Sequence, residues 1–262
     1  MQVDLKDKVV LITGGSEGIG KGIAELCASC GAKVAVLARD QDELQDVVDS
    51  IKQNGGDAML AVADVTKEDQ MQAAVAKVVN QYGRIDALVA NAGTNGTWTP
   101  IDEMTPDEWR STIDINLTGT YLAIHYCVPE MRKVGHGSIV IMSSINGTRT
   151  FSNEGASAYA SSKAGQFALG KMLALELAPS KIRVNVVCPG AIVSGIHQKT
   201  EREDLKKIET PAVYPEGDIP LTGGDYGKPE QVAQLTAFLL SDCSSHITGT
   251  PVWIDGGQSL LI

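Results

Sequence analysis

Residues 9–20 read Val9-Val10-Leu11-Ile12-Thr13-Gly14-Gly15-Ser16-Glu17-Gly18-Ile19-Gly20, and this stretch determines the predicted fold. Its first four residues form an apolar, mostly β-branched run, which is typical of a buried strand. The glycines at positions 14, 18 and 20 then allow a tight turn and bring the start of the next helix close to phosphate. A glycine-rich turn between a strand and a helix predicts a βαβ unit that binds a dinucleotide.

The rest of the chain repeats the alternation of strand and helix. Strands are predicted at residues 9–12, 33–38, 58–62, 85–90, 138–142, 184–188 and 251–255. Helices are predicted from the glycine turn to about residue 30 and at about 41–53, 67–82, 106–132, 157–178 and 229–240. Such alternation predicts an α/β protein with βαβ crossovers, in which helices cover both faces of a doubly wound, parallel, seven-stranded sheet. No repeat or linker divides residues 1–262, so we expect a single Rossmann-type domain.

Residues 195–227 interrupt this alternation. They are polar and rich in Gly and Pro, and their one helical candidate begins with a capping-box pattern, Thr200-Glu201-Arg202-Glu203. A long irregular stretch inside a compact domain is often functional. We expect a substrate lid here, with His197, Tyr214 and Tyr226 near the pocket; a mobile loop is the alternative. The loop from Thr94 to Trp98 is expected to form a wall, in which Trp98 packs either on the substrate or only on a neighbouring residue.

Composition narrows the classes of function. The formal net charge is −10 and the sequence pI is about 4.9, which argues against nucleic-acid and anionic-membrane partners. No apolar run reaches the length of a membrane span, and residues 1–7 lack the apolar core of a signal peptide, so we predict a cytoplasmic protein. The four histidines lack metal-ligand spacing, and we expect no metal.

Tyr159 and Lys163 are a candidate catalytic pair, because residues four apart share one face of a helix. An ammonium beside a phenol favours the phenolate and should lower the pKa of the tyrosine. Tyr159 is therefore a candidate general acid and base. Together with the glycine turn, this pair predicts a nicotinamide-dependent oxidoreductase.

Four motifs in this order resemble those of the classical short-chain dehydrogenase/reductase family: Thr13-Gly14-x-x-x-Gly18-Ile19-Gly20, Asn91-Ala92-Gly93, Tyr159-x-x-x-Lys163 and Pro189-Gly190. The resemblance covers essentially the whole chain and extends to bacterial members named glucose dehydrogenases or 3-oxoacyl-carrier-protein reductases, between which the motifs do not choose. It implies hydride transfer between NAD(P)(H) and a carbonyl or secondary alcohol substrate.

The resemblance also implies roles for single residues. Tyr159 corresponds to the general acid/base, and Lys163 to the residue that lowers its pKa and holds the nicotinamide ribose. Ser144 corresponds to the serine that hydrogen-bonds the substrate oxygen, with Ser143 as the alternative, and Asn116 to a residue that supports a water-linked proton relay. The stretch between Ser144 and Tyr159 is slightly longer than is usual in the family.

Further residues correspond to family positions that surround the cofactor. Asp64 would contact the adenine ring, although a helix cap or turn is the alternative role for this carboxylate. The cofactor-binding residues implied are Gly14, Ser16, Glu17, Gly18, Ile19, Gly20, Arg39, Asp64, Val65, Asn91, Ala92, Gly93, Tyr159, Lys163, Pro189, Gly190, Ile192 and Ser194.

The end of the second predicted strand bears on the choice between NAD and NADP. An acidic residue there binds the ribose hydroxyls of NAD, whereas a nearby Arg accepts the 2′-phosphate of NADP. Ala38 occupies the acidic position and Arg39 follows it, which favours NADP(H) over NAD(H). Glu17, where many NADP-dependent relatives have Arg or Lys, and Asp40, a second possible ribose ligand, keep NAD(H) open.

Two other classes of function stay open, and the end of the chain bears on the oligomeric state. The fold also suits a non-catalytic dinucleotide-binding regulator, and Cys27-Ala28-Ser29-Cys30 formally matches a thiol-redox motif. The apolar residues 260–262 suggest burial at a subunit contact. Since the family is commonly tetrameric, we expect a homotetramer, with a dimer as second choice.

Overall fold

A computed structural model describes residues 3–197, 199–208 and 218–261. Tyr214 and the side chain of His197, both expected near the lid, lie outside the described residues. The strands are β1 Val9–Thr13, β2 Lys33–Ala38, β3 Asp57–Val62, β4 Ala87–Ala90, β5 Thr97–Trp98, β6 Gly137–Met142, β7 Ile182–Pro189, β8 Glu201–Arg202 and β9 Pro251–Ile254. The α-helices are α1 Gly18–Ser29, α2 Gln41–Gln53, α3 Glu68–Tyr82, α4 Pro106–Ile113, α5 Gly119–Val134, α6 Ser157–Leu177 and α7 Pro229–Leu240.

Seven of the strands form one sheet in the order β3-β2-β1-β4-β6-β7-β9, and every neighbouring pair is parallel. The predicted doubly wound sheet is therefore confirmed. The strand order reverses between β1 and β4. In open sheets of this kind, ligands bind outside the carboxyl ends of the strands at the reversal point.

Alternation along β1 explains how helices cover both faces of the sheet. Val9 and Leu11 point into one apolar core, which α3, α5 and α6 complete, whereas Val10 and Ile12 point into the other, which α1, α2 and α7 complete. Successive strand residues face opposite sides, so a strand buried on both faces must be apolar throughout. All five residues of β1 are buried.

The predicted continuous helix over residues 106–132 is wrong in its middle. It begins as expected at Pro106, behind a capping box formed by Thr105 and Glu108, but α4 ends at Ile113. A π-helical turn over Asp114–Thr118 then precedes α5. Single π turns within helices are frequent at functional sites.

The short helix predicted to begin at residues 200–203 is also wrong. Glu201–Arg202 forms β8, which pairs in parallel with Thr97–Trp98 in a second, two-stranded sheet. The Thr200 hydroxyl does not cap a helix, because it donates back to the carbonyl of Ile196 at 2.9 Å. A short 3-10 turn over Leu205–Lys207 follows.

Candidate active site

The glycine turn connects β1 to α1 at the carboxyl edge of the sheet. Gly14 has a φ of +64°, and a side chain there would lie 2.8 Å from the Cα of Ala92. Helix α1 begins at Gly18 without a side-chain cap and without an acidic residue in its first turn. Its first N–H groups and the positive end of its dipole are therefore available to an anion.

Asn91, at the end of β4, holds the turn in place. Its Nδ2 donates to the carbonyl oxygens of Thr13 at 3.1 Å and Gly14 at 3.0 Å. The Thr13 hydroxyl in turn accepts from the N–H groups of Asn91 and Ala92, both at 3.0 Å. A side chain at Gly20 would come within 2.6 Å of the Asn91 amide, so this close packing requires a glycine.

A cleft of about 370 Å³ opens above this edge of the sheet. It brings together most of the residues predicted for the site, which lie far apart in the sequence. These are Gly14, Ser16, Glu17, Gly18, Ile19, Gly20, Asn91, Ala92, Gly93, Ser144, Tyr159, Lys163, Pro189, Gly190, Ile192 and Ser194.

Ser144, Tyr159 and Lys163 form a buried group in this cleft, with 8%, 9% and 4% of their surfaces exposed. The Ser144 hydroxyl interacts with the phenol of Tyr159. Lys163 Nζ lies 5.6 Å from the centre of the phenol ring and donates to the carbonyl of Met142 at 2.9 Å. The alternative serine, Ser143, instead donates its hydroxyl to the backbone carbonyl of Lys163 at 2.8 Å.

Burial controls the protonation of this group. It raises the pKa of Tyr159, and the interaction with Ser144 only partly opposes the rise. The expected lowering is therefore wrong for this structure, because removing the phenol from water disfavours the phenolate. Burial also lowers the pKa of Lys163 to about 8, against a smaller opposing effect of Cys188.

Asn116 does not line the cleft but lies behind it, fully buried in the π turn. Its side chain bridges to the backbone of Thr94, accepting at 2.8 Å and donating at 2.9 Å, and also donates to Ser162. The backbone carbonyl of Asn116 accepts from the Thr120 hydroxyl at 2.7 Å and from Gln166 Nε2 at 2.8 Å. This carbonyl is directed at protein donors.

Three residues predicted to bind cofactor, Arg39, Asp64 and Val65, lie outside the cleft lining. Asp64 accepts from the N–H and the hydroxyl of Thr66 at 2.9 and 2.8 Å, so it forms a turn, which is the alternative role that its position suggested. Burial would raise the pKa of Asp64, but these bonds and the charges of Arg39 and Lys67 lower it overall. Arg39 is exposed at the end of β2, within electrostatic reach of Asp64.

The structure adds polar residues to the cleft that lie outside the family motifs, and three of them belong to the predicted lid. They come from loops, from strand β8 and from the 3-10 turn Gln258–Leu260, so only the tertiary fold brings them together. They are Asn95, Asn146, Asn153, Lys199, Arg202, Asp218 and Gln258.

The described part of residues 195–227 lies across the cleft. Lys199 forms an ion pair with Glu17 of the glycine turn, and β8 pairs with β5. Leu205 packs against the cluster of Trp98, Ala156 and Tyr159.

Comparisons with known proteins agree with this geometry. The family model described as "Enoyl-(Acyl carrier protein) reductase" matches residues 14–259. A 3-oxoacyl-[acyl-carrier-protein] reductase of Thermotoga maritima is 41% identical over 253 residues, which are 97% of this chain and 98% of that protein. The chain belongs to the short-chain dehydrogenase/reductase family. Glucose 1-dehydrogenase 2 of Bacillus subtilis is 34% identical over 262 residues, with 99% and 98% covered.

Solved structures of the short-chain dehydrogenase/reductase family extend the likeness. A 3-ketoacyl-ACP reductase from Sinorhizobium meliloti 1021 superimposes with a TM-score of 0.94 at 47% identity, covering 97% of this chain and 100% of that one. A 3-ketoacyl-(acyl-carrier-protein) reductase from Brucella melitensis, complexed with NADH, gives 0.86 at 31% identity, with 98% and 100% covered. The family relationship makes this protein an oxidoreductase that acts on CH–OH or carbonyl groups.

Neither alternative class of function is favoured. The relatives are named as dehydrogenases or reductases, which does not favour a regulator without activity. Burial raises the pKa of Cys27 far above that of a reactive thiol, contrary to the thiol-redox hypothesis. Within residues 3–197, 199–208 and 218–261, no helix is both long and apolar enough to cross a bilayer.

Proposed function

We propose that the protein is an NADP(H)-preferring oxidoreductase that interconverts a carbonyl and a secondary alcohol, with Tyr159 as general acid and base. One observation carries the proposal: the phenol of Tyr159 faces Ser144 in the same cleft as the glycine turn, with Lys163 beside its ring. Donors aimed at one substrate oxygen stabilise the charge that develops there when hydride reaches the carbonyl carbon.

The bound cofactor supplies or accepts a hydride at nicotinamide C4. The protein's part is to hold the carbonyl oxygen between the hydroxyls of Ser144 and Tyr159 and to deliver one proton. In reduction, Tyr159 would give its phenol proton to the carbonyl oxygen as the carbonyl carbon gains the hydride, so the C=O π bond would be replaced by a C–H and an O–H bond, with NADPH as the reductant. Oxidation runs the same steps backwards, with Tyr159 accepting the proton.

The protonation states suit the direction of reduction. A phenol with a raised pKa is protonated at neutral pH, so Tyr159 is ready to act as an acid. The positive charge of Lys163 then stabilises the phenolate that remains. A pKa of about 8 places Lys163 where it also exchanges protons near neutral pH.

The glycine turn and its neighbours fit the cofactor's pyrophosphate. The uncapped start of α1 presents N–H groups to phosphate oxygens, and the glycines remove the side chains that would block them. The carboxylate of Glu17 would repel the pyrophosphate, but the ion pair with Lys199 neutralises the charge of Glu17. Pro189, Gly190, Ile192 and Ser194 line the part of the cleft that would hold the nicotinamide amide.

Two further observations support the preference for NADP(H). Asp40 accepts the N–H groups of Asp42 and Glu43 at 2.9 and 3.0 Å as the N-cap of α2, so its carboxylate is already engaged. Among the described residues Arg39 has no comparable contact, and its exposed side chain can meet a 2′-phosphate. Arg39 would therefore determine the preference for NADP(H) by binding the 2′-phosphate.

The Tyr159→Phe variant tests the assignment. It removes the transferable proton and keeps the ring that packs beside Trp98. We expect the turnover of NADPH with any ketone accepted by the wild type to fall at least about a thousandfold, while NADPH binding measured by fluorescence changes less than about threefold. Near-normal turnover in the Phe variant would show that Tyr159 is not the acid.

The proposal includes a homotetramer, with a dimer as second choice. Large apolar side chains stand exposed on α5, α6 and the carboxyl-terminal turn, with exposures of 50% for Tyr121, 69% for Met172, 81% for Leu175 and 73% for Leu260. Exposed apolar side chains of this size are candidates for burial at subunit contacts. Elution of the protein as a monomer at micromolar concentration would contradict this part. Residues 195–227 are proposed as the lid, and a cytoplasmic location stays a prediction.

A further inference from the structure

One wall of the cleft carries polar groups that the proposed hydride transfer does not use. Asn95 and Asn146 are 4% and 7% exposed, and both line the cleft. Asn95 Nδ2 donates to the Thr200 hydroxyl at 2.7 Å, and Asn146 Oδ1 accepts from Asn153 Nδ2 at 2.8 Å. The other side-chain atoms, Oδ1 of Asn95 and Nδ2 of Asn146, have no partner among the described residues.

These two atoms are one acceptor and one donor, and neither is fully buried, so solvent or a ligand can reach both at the cleft wall. A ligand that offers a hydroxyl to Asn95 and an oxygen to Asn146 would satisfy both. The pair therefore indicates a substrate with several oxygen functions.

Arg202 supplies a charge beside these amides. Its guanidinium carbon lies 5.3 Å from the centre of the Trp98 ring, and that ring lies 6.5 Å from the ring of Tyr159. Pairing of β8 with β5 fixes the backbone of Arg202 next to Trp98. The cation is thus held near the proposed acid, with the Trp98 ring in contact with both side chains.

The charge of Arg202 is available to a ligand. It forms no ion pair within the part of the chain that the structure describes. The acidic residues of the cleft are engaged elsewhere, because Glu17 pairs with Lys199 and Asp218 accepts from Gln258 Nε2 at 2.9 Å. A guanidinium held by a cation–π contact with an aromatic ring keeps its N–H fork free for a carboxylate.

We propose that the substrate is a polyhydroxylated carboxylic acid, with the carboxylate bound by Arg202 and neighbouring oxygens bound by Asn95 and Asn146. This inference rests on the proposed function, because it names the substrate class of the same cleft. The net charge of −10 would otherwise repel such an anion, so the cation in the wall gives a specific reason for acceptance.

Binding to the NADP⁺-loaded Tyr159→Phe protein tests the inference without turnover. Calorimetry compares D-gluconate, D-galactonate, L-tartrate and 3-hydroxybutyrate, each with its own uncharged amide. We expect at least one polyhydroxy acid to bind, about tenfold or more tightly than its amide and than 3-hydroxybutyrate. The Arg202→Gln change should erase the preference for acid over amide, and Arg202→Lys should retain part of it.

Lys206→Gln is the matched control, because it removes one positive charge from the same exposed segment outside the cleft lining. It should leave the acid preference within about twofold of the parent protein. Equal binding of acids and amides overturns the inference, and so does the failure of every acid to bind. The inference is also overturned if Arg202→Gln weakens NADP⁺ binding and leaves the preference for acid over amide unchanged. Failure to bind NADP⁺ at all would instead contradict the proposed function.

Discussion

Replacing Arg39 by Gln tests the proposed choice between the two nicotinamide cofactors. The change removes the cation at the end of β2 and keeps a polar side chain of similar length. Arg39 is exposed, so it contributes little to folding, and we expect the free energy of unfolding to change by less than about 0.5 kcal/mol. Its effect should therefore appear in cofactor binding alone.

The size of the effect follows from the exposure of the side chain. A hydrogen bond to a charged group contributes about 1.5–3 kcal/mol, and solvent screening at an exposed site reduces this to about 1–2 kcal/mol. The KM for NADPH should then rise about 5- to 30-fold, whereas the KM for NADH should stay within about twofold.

Lys67→Gln is the control for this measurement. The positive charges of Lys67 and Arg39 both lower the pKa of Asp64, so removing either charge should raise that pKa. Only Arg39 follows β2 directly. Initial rates at saturating substrate, measured over a range of NADPH and NADH concentrations, give the ratio of the KM for NADPH to the KM for NADH. An unchanged ratio in Arg39→Gln, or an equal change in Lys67→Gln, would refute the reasoning.

Two further predictions concern the turn and the buried lysine. Gly20→Ala would place a methyl group in a clash with the carbonyl oxygen of Gly14 and 2.6 Å from the Asn91 amide, and it should weaken NADPH binding at least about tenfold by fluorescence titration. Gly22→Ala, whose nearest contact is at 3.2 Å, should bind NADPH normally. The pKa of Lys163 is lowered from 10.5 to about 8 in the folded protein. Between pH 8 and 10.5 the unfolded chain therefore binds more protons than the folded one, and the free energy of unfolding should rise with pH. The rise is at most about 1.4 kcal/mol per pH unit. Lys163→Met should lose this rise in urea unfolding at pH 8 and 10, and an identical slope in both proteins would show that the lysine is not its cause.

Patterns with a clear period were predictable from the sequence. The bounds of β2, α2 and α7 agree with the prediction, because apolar residues recur at a regular spacing and Gly or Pro marks an end of each. The cleft residues that belong to family motifs were likewise found, since most of these motifs follow the carboxyl end of a strand. These strands, helices and motif residues were predictable because they depend on the local sequence.

The features that were missed depend on tertiary contacts. Strands β5 and β8 have two residues each, too few to show alternation, and exist only because they pair with each other. The π turn around Asn116 is held by Thr94, Ser162 and Gln166, which no helix pattern reveals. The pKa of Tyr159 depends on how deeply the phenol is buried, which residue spacing does not determine.

The position of Gln258 bears on how the protein is synthesised. Its side chain accepts from the N–H of Ala191 at 3.0 Å and donates to Asp218, although the glycine turn of the same cleft begins at residue 14. A nascent chain that has not reached β9 therefore lacks part of the wall, and β7 still has an open edge. The complete cleft can therefore form only after residue 258 has left the ribosome, so cofactor binding should follow synthesis of the whole chain and not accompany it.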